Sequence, residues 1–498
     1  MRTALPRTAA VLVLLLLLVL LLLLLVLVRL PWVGDLGMHA ATVERLRHSL
    51  TDPGNPLVDA DTPSPYYSPW TVLLGCLAKV TGASVFVVLR IGGLVALGVL
   101  VTGVWRYVRL LSARPAAAAL ALLCLVLLWG TAEFSWSGFL GLHSLALTVA
   151  YPSVFALGLA FHLWAWLARV VRGDGGWGVW NRWGVWIGCG VLWAVILLVH
   201  QFSGVVASLG VLAVVLAARA GWGVWGWLGV GGAVGVVVLW VWPYYDFFAL
   251  LWSGDGMDAV HRSLYRDLVG RYWLVLVGVA ALGVRWWRDR RDVLVLFFVL
   301  GAVVFVAGGV SGHWSWGRVL PAALIPAQVA VAVEVAGTGA EVGRRVVPVG
   351  WGCVLGAALV VGAWGQVGVL GYVVGRGVLP RVVEEKYREP WEGYRWITPW
   401  VGYGDVVMAR EVASRQIPAY GAYTVAPGYP DFFLRDEGDR AAAVRRYFSA
   451  GVGGGERGGI VREYGVRWVV DRGVGLWGVE GLRVVAWGPG GEVLYAVV

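Results

Sequence analysis

The sequence predicts a mainly α fold: a polytopic transmembrane helical bundle of about eleven spans, with a small extracytoplasmic α/β domain at the C-terminal end. Three observations predict it. The 498 residues are 59% hydrophobic and only 14% charged, with a mean hydropathy of +0.75, a composition that suits lipid as the main solvent. Apolar stretches near spanning length recur along the chain, at 9–30, 84–105, 116–130, 146–168, 184–199, 203–218, 223–242, 272–284, 292–310, 319–337 and 346–372. Beyond residue 375 the composition turns soluble, so domains are expected at 1–375 and 376–498.

The first span is preceded by Arg2 and Arg7, is mostly Leu and Val, and is followed by no small-residue cleavage signal, so it reads as an uncleaved helix. Between residues 71 and 105 the favoured reading is an interfacial segment followed by a single span. Arginines then fill every second connection: Arg106, Arg109 and Arg114; Arg169, Arg172 and Arg182; Arg219; Arg285, Arg288, Arg290 and Arg291; Arg344 and Arg345. The positive-inside rule places these loops and the N-terminus in the cytoplasm, and the odd span count places the tail outside. The formal charge of +10 is thus a matter of topology and not a nucleic-acid footprint. Cys76, Cys124, Cys189 and Cys353 lie scattered in apolar stretches and suggest neither disulfides nor zinc. In the tail, strands are expected at 406–409, 423–426, 467–470, 482–487 and 493–498, a helix at 439–450 and a flexible loop at 451–459.

The chemistry-bearing residues gather in the other connections, which hold six of the seven histidines. Directly after the first span comes G-D-L-G-M-H, with Asp35 and His39 one helical turn apart. A carboxylate at the membrane surface sits in a lower dielectric than bulk water, which raises its basicity toward that of a general base. Asp35 is equally placed to cap the helix that follows, and the two roles can coexist. Glu133 opens E-F-S-W-S-G at another outer mouth, as a second acid or an acceptor contact. Arg262, Arg266 and Arg271 in the fourth outer loop, and Arg318 beyond it, run against the positive-inside trend, and a guanidinium fork matches phosphate oxygens. Pairing with Asp255, Asp258 or Asp267 is the competing account for the loop arginines. His313, between Gly312 and Trp314, offers a sugar or headgroup surface, against the plainer reading of an interfacial tryptophan belt. His143 and His200, at span ends, read as structural histidines. Asp59 and Asp61 have the spacing of a divalent-cation pair suited to magnesium or manganese, although such pairs are common in solvated loops.

A long first span, a Gly-Asp pair at its outer end, a nearby histidine, an outer loop ending in Tyr66-Tyr67-Ser68-Pro69-Trp70, many further spans and an α/β tail together resemble the membrane-embedded GT-C glycosyltransferases. The resemblance implies a polyprenyl-phosphate-linked sugar as donor and an envelope glycan, lipid or protein as acceptor, in an inverting hexosyl or pentosyl transfer at the extracytoplasmic face of the plasma membrane. It assigns the essential carboxylate of the first outer loop to Asp35. His39, Glu133, Arg262, Arg266, His313 and Arg318 are then candidates for substrate binding. The alternative is a non-enzymatic transporter or flippase of a lipid-linked glycan, which predicts charges at mid-membrane. The absence of a P-loop, a kinase signature, a nucleophile elbow or an H-E-x-x-H pair points away from nucleotide hydrolysis and metalloprotease chemistry.

Overall fold

The computed structural model describes residues 7–173, 179–252, 258–337, 350–473, 475–476 and 478–498. Arg2, Asp255, Arg344 and Arg345 lie outside them, and of Arg7 and Arg182 only the backbone is described. Helices form at all eleven apolar stretches, but the count of eleven spans is not carried by their dimensions. Seven are long and apolar enough to cross a membrane: Ala9–Arg29, Val85–Leu111, Pro152–Arg172, Trp222–Trp240, Leu268–Arg288, Val293–Ser311 and Trp314–Gly337. The pair Gly350–Gly365 and Val367–Val374, bent by 52°, makes an eighth if it forms one span. Pro115–Leu127, Trp183–Val199 and Gln201–Ala217 are apolar but short of the roughly 20 residues that 30 Å of hydrocarbon requires at 1.5 Å per residue. The segment after the first outer loop is a 13-residue helix, Pro69–Thr81, capped by Ser68 and Thr71, and one long helix follows it.

The chain divides into two compact units. The first comprises Met1–Leu30, Gly93–Val241 and Gly254–Arg388; the second comprises Pro31–Gly92, Trp242–Ser253 and Glu389–Val498. In the first, glycine lets helices meet backbone to backbone. A Cβ on Gly190 would fall 1.9 Å from the Gly231 carbonyl oxygen, and one on Gly235 would fall 2.8 Å from the Gly190 oxygen. Small residues are the usual means of helix contact in lipid, where apolar burial alone gives no preference between a neighbouring helix and a lipid tail. Gly232 faces open space and takes no part.

Two of the loop arginines meet buried or half-buried carboxylates. Glu334, 7% exposed near the end of the Pro321–Gly337 helix, receives Nη1 of Arg285 at 2.9 Å and Nη2 of Arg288 at 2.7 Å. Asp292 takes Nη2 of Arg285 at 2.6 Å and caps the Val293–Ser311 helix through the Leu294 and Val295 amides. Removing one member of a buried charge cluster strands the others, so Glu334→Ala will destabilise the first unit by about 3–5 kcal/mol. Thermal melting in detergent tests this, and an unchanged melting temperature would contradict it.

The second unit carries a five-stranded sheet: β1 (Val406–Ala409), β2 (Tyr423–Thr424), β3 (Val466–Arg472), β4 (Leu482–Trp487) and β5 (Glu492–Val497), in the order β2-β1-β3-β5-β4. β1 is parallel to β2 and β3, while β5 is antiparallel to β3 and β4. Val406 and Met408 feed one core with Val444, Tyr447 and Ile460; Val407 and Ala409 feed another with Ile397 and Ile417. The alternation along β1 thus buries both faces, as parallel strands require. Gly454–Glu463 is helical where the glycine run suggests a loop, because Ile460 packs into the first of these cores. The outer loop joins the same unit: Met38, Ala41, Leu57 and Val58 share a core with Tyr429 and Leu434. Arg45, fully buried, donates to the Gly421 and Ala422 carbonyls at 3.0 and 2.7 Å and stacks over Tyr423.

Candidate functional site

Asp35 stands at the N-cap of the Leu36–His48 helix without a side-chain capping bond, so the capping alternative is not what its carboxylate does. It is half-buried, and its surroundings are aromatic and acidic. Tyr429 donates from Oη to the Gly34 carbonyl at 2.7 Å, and Tyr66 donates to the Pro430 carbonyl at 2.6 Å. Burial above all, then nearby acids that include Asp35, pushes both phenols well above their ordinary range, so they remain protonated donors. Asp431, buried behind them, receives Asn55 Nδ2 at 2.6 Å, and burial raises its carboxyl above the usual range. Gly37 is required here: a Cβ would fall 1.8 Å from the Arg415 carbonyl oxygen.

His39, one turn from Asp35, is buried, and desolvation pushes its imidazole down to about 3. It is therefore neutral at working pH. The unfolded chain, with a value of about 6.5, takes up the proton first as pH falls. Stability from His39 is thus complete above about pH 6.5 and drains away toward its folded value of about 3. Between about pH 7 and pH 5, wild type will lose stability with a single-proton slope of up to about 1.4 kcal/mol per pH unit, and His39→Gln will lose that component. Melting curves across this window check it; identical pH slopes for the two proteins would refute it.

In the first unit, Arg318 is the best-built cation. It is 7% exposed, in a short 3-10 turn, Trp314–Val319, that leads into the Pro321–Gly337 helix. Its guanidinium lies over Phe202 at 4.7 Å and Trp136 at 5.6 Å, with Nη2 3.2 Å from Nε2 of His200. His200 caps the Gln201–Ala217 helix by accepting the Ser203 amide on Nδ1 at 3.1 Å. Nδ1 of His200 also lies 2.8 Å from Ser203 Oγ, so the Arg318 guanidinium, the imidazole and the hydroxyl form one polar cluster. A guanidinium can donate through several N–H groups at once, and its planar fork matches the oxygens of a phosphate. Gly138, at φ +85°, leaves room beside the pair: a Cβ there would sit 3.5 Å from His200 and 4.0 Å from Arg318 Nη2. His261, buried, packs against Phe202 and Trp136. Reading His200 from sequence as a structural histidine catches its capping role and misses its approach to Arg318; Trp136, Phe202 and His261 carry no sequence signal of their own.

The structure gathers some of the other candidates near Arg318. Arg262 lies over Trp314 at 5.5 Å, and the exposed His313 stacks on Trp316. Arg266 is exposed. Asp258 and Asp267 accept backbone amides, of Ser315 at 2.8 Å and Gly270 at 3.1 Å, and among the described residues neither pairs with a loop arginine. Glu133 is ion-paired to Arg388 at 2.9 Å and lies 3.7 Å from His143, which burial holds below its ordinary value. Asp35, His39, Asp59 and Asp61 belong to the second unit. Asp59 and Asp61 are exposed, and among the described residues no three His, Cys, Asp or Glu side chains gather as a metal site.

No protein-family model matches the sequence, and no curated protein matches it. Solved structures do match the fold. ArnT from Cupriavidus metallidurans in its apo state superposes with a TM-score of 0.55 at 16% identity over 99% of this chain and 98% of that one. The same protein bound to undecaprenyl phosphate gives 0.52 at 16% identity over 98% of each chain. The arabinofuranosyltransferase AftD from Mycobacteria gives 0.57 at 16% identity over 99% of this chain and 40% of that one. These matches run along almost the whole length of this chain, which has the fold of the membrane-embedded GT-C glycosyltransferases.

Proposed function

We propose that the protein is a membrane glycosyltransferase that moves a hexosyl or pentosyl group from a polyprenyl-phosphate donor to a cell-envelope glycan, lipid or protein on the extracytoplasmic face. The observation that carries this reading is the buried Arg318, its guanidinium held beside His200 and over Phe202 in an aromatic enclosure at the start of an apolar helix. A fold shared with ArnT, solved with undecaprenyl phosphate, supports a lipid-linked anion as the ligand. In the inverting step, Asp35 takes the proton of the acceptor hydroxyl. The hydroxyl oxygen forms the new bond to the anomeric carbon, and the bond to the phosphate oxygen breaks. Arg318, positioned beside His200, stabilises the charge that the departing phosphate gains. The remaining candidates bind substrate, and the N-terminus is cytoplasmic with the acidic and aromatic loops outside.

The test is purified protein in proteoliposomes, given radiolabelled polyprenyl-phosphate hexoses and pentoses together with envelope extract as acceptor. Transfer of label, or slow release of free sugar without acceptor, is the expected result. Movement of intact donor across the bilayer with no bond cleavage would assign the chain to the transporters instead.

A further inference from the structure

The second unit holds a cavity of 670 Å³ that the donor chemistry does not use. Its walls include Thr62 from the outer loop and Phe432, Phe433, Arg435, Asp436 and Arg440 from the turn and helix after Asp431. Ligand pockets commonly measure about 300–1,000 Å³, so the space is of the right order for a short oligomer.

Two features show that the walls are built to hold a shape. Asn55, fully buried, ties them together: its Nδ2 donates to Thr62 Oγ1 at 2.9 Å and to Asp431 Oδ2 at 2.6 Å, and its Oδ1 accepts the Leu57 amide at 2.9 Å. Asp431 in turn accepts the Phe433 amide at 3.1 Å on its other oxygen, and its own amide donates to Glu437 Oε2 at 3.0 Å. The turn that presents the two phenyl rings is therefore fixed before any ligand arrives, which lowers the ordering cost of binding. Arg440 is held by Asp436 at 2.8 Å and by the Val425 carbonyl at 3.2 Å, while Arg435 is exposed.

The lining chooses among ligands. Adjacent phenyl rings offer flat apolar faces of the kind that pack against the C–H face of a sugar ring. Arginine and aspartate at the rim donate to and accept from hydroxyls. None of the five strands lines the cavity, so a peptide would find no backbone ladder to extend. Asp35 belongs to the same unit: Tyr66, which feels its charge, donates to Pro430, two residues before Phe432.

We propose that this cavity is a saccharide-binding subsite that holds the acceptor glycan, an inference that rests on the glycosyltransferase reading above. Full-length protein in nanodiscs is tested by saturation-transfer NMR with a mannotetraose, an arabinofuranosyl tetrasaccharide and tetra-alanine, each at millimolar concentration. At least one saccharide will receive saturation. Phe433→Ala and Arg435→Ala will each weaken its binding by about tenfold or more, whereas Arg483→Ala, at an exposed position on β4, will leave it unchanged. Binding of neither saccharide, equal binding by all variants, or preference for the peptide would overturn the subsite. Because no donor is present, the two ideas fail separately. Donor turnover without saccharide binding removes the subsite alone, and saccharide binding without donor turnover removes the glycosyltransferase reading.

Discussion

Arg318→Ala will lower transfer from a polyprenyl-phosphate sugar by about 10²–10³ in kcat/KM, the scale of losing a preorganised donor aimed at developing charge. The guanidinium is buried between aromatic rings, where its field on a phosphate oxygen is screened far less than at an exposed site. Its neighbour His200 cannot replace it, because that ring is already engaged with Ser203 and offers no planar fork of donors. Arg318→Lys will recover part of the loss, since a point charge remains but the planar fork does not. Kinetics in proteoliposomes, with melting temperatures recorded for each variant, separate this from a folding defect. A folded alanine variant that turns over donor at the wild-type rate would sink the phosphate assignment.

Asp35→Asn will reduce transfer by about 10²–10⁴, the usual contribution of a positioned general base, while leaving the affinity for donor nearly unchanged. The substitution keeps shape and removes basicity. It is also structurally mild, because asparagine is as good an N-cap as aspartate and the Asp35 side chain makes no capping bond. The effect therefore falls on kcat with the melting temperature held, a split that a merely structural role would not give. A turnover within about twofold of wild type would exclude Asp35 as the base.

Particular residues show how much of this was legible beforehand. Helices stand at all eleven apolar stretches because spanning helices are encoded by runs of local hydrophobicity. Their number as crossings was not legible, since hydropathy does not fix where a helix ends, and three stop short. The strands near 406, 423, 467, 482 and 493 were equally visible in alternation and turn residues. The helix from Gly454 was not, because its glycines disfavour it intrinsically by about 1 kcal/mol each and only tertiary contacts, among them the packing of Ile460 and Val461 and the Arg457 bonds to the Tyr447 and Ser449 carbonyls, hold it.

The site divides in the same way. Asp35 and Arg318 stood out by type and position, a carboxylate where the first span ends and an arginine against the charge trend. Their surroundings did not. His200 reaches Arg318 across 118 residues, and Asn55 reaches Asp431 across 376.

By itself the sequence determined the membrane class, the places of the apolar helices and of the strands, and which polar residues were unusual for where they stood, because these depend on neighbours a few positions away. Only the tertiary structure decided that the outer loop shares a compact unit with the tail, that His200 and Arg318 meet within hydrogen-bond distance, and that Thr62 and Phe433 line one cavity. Those pairings are set by how buried surfaces and hydrogen bonds close across hundreds of residues, which no local pattern records.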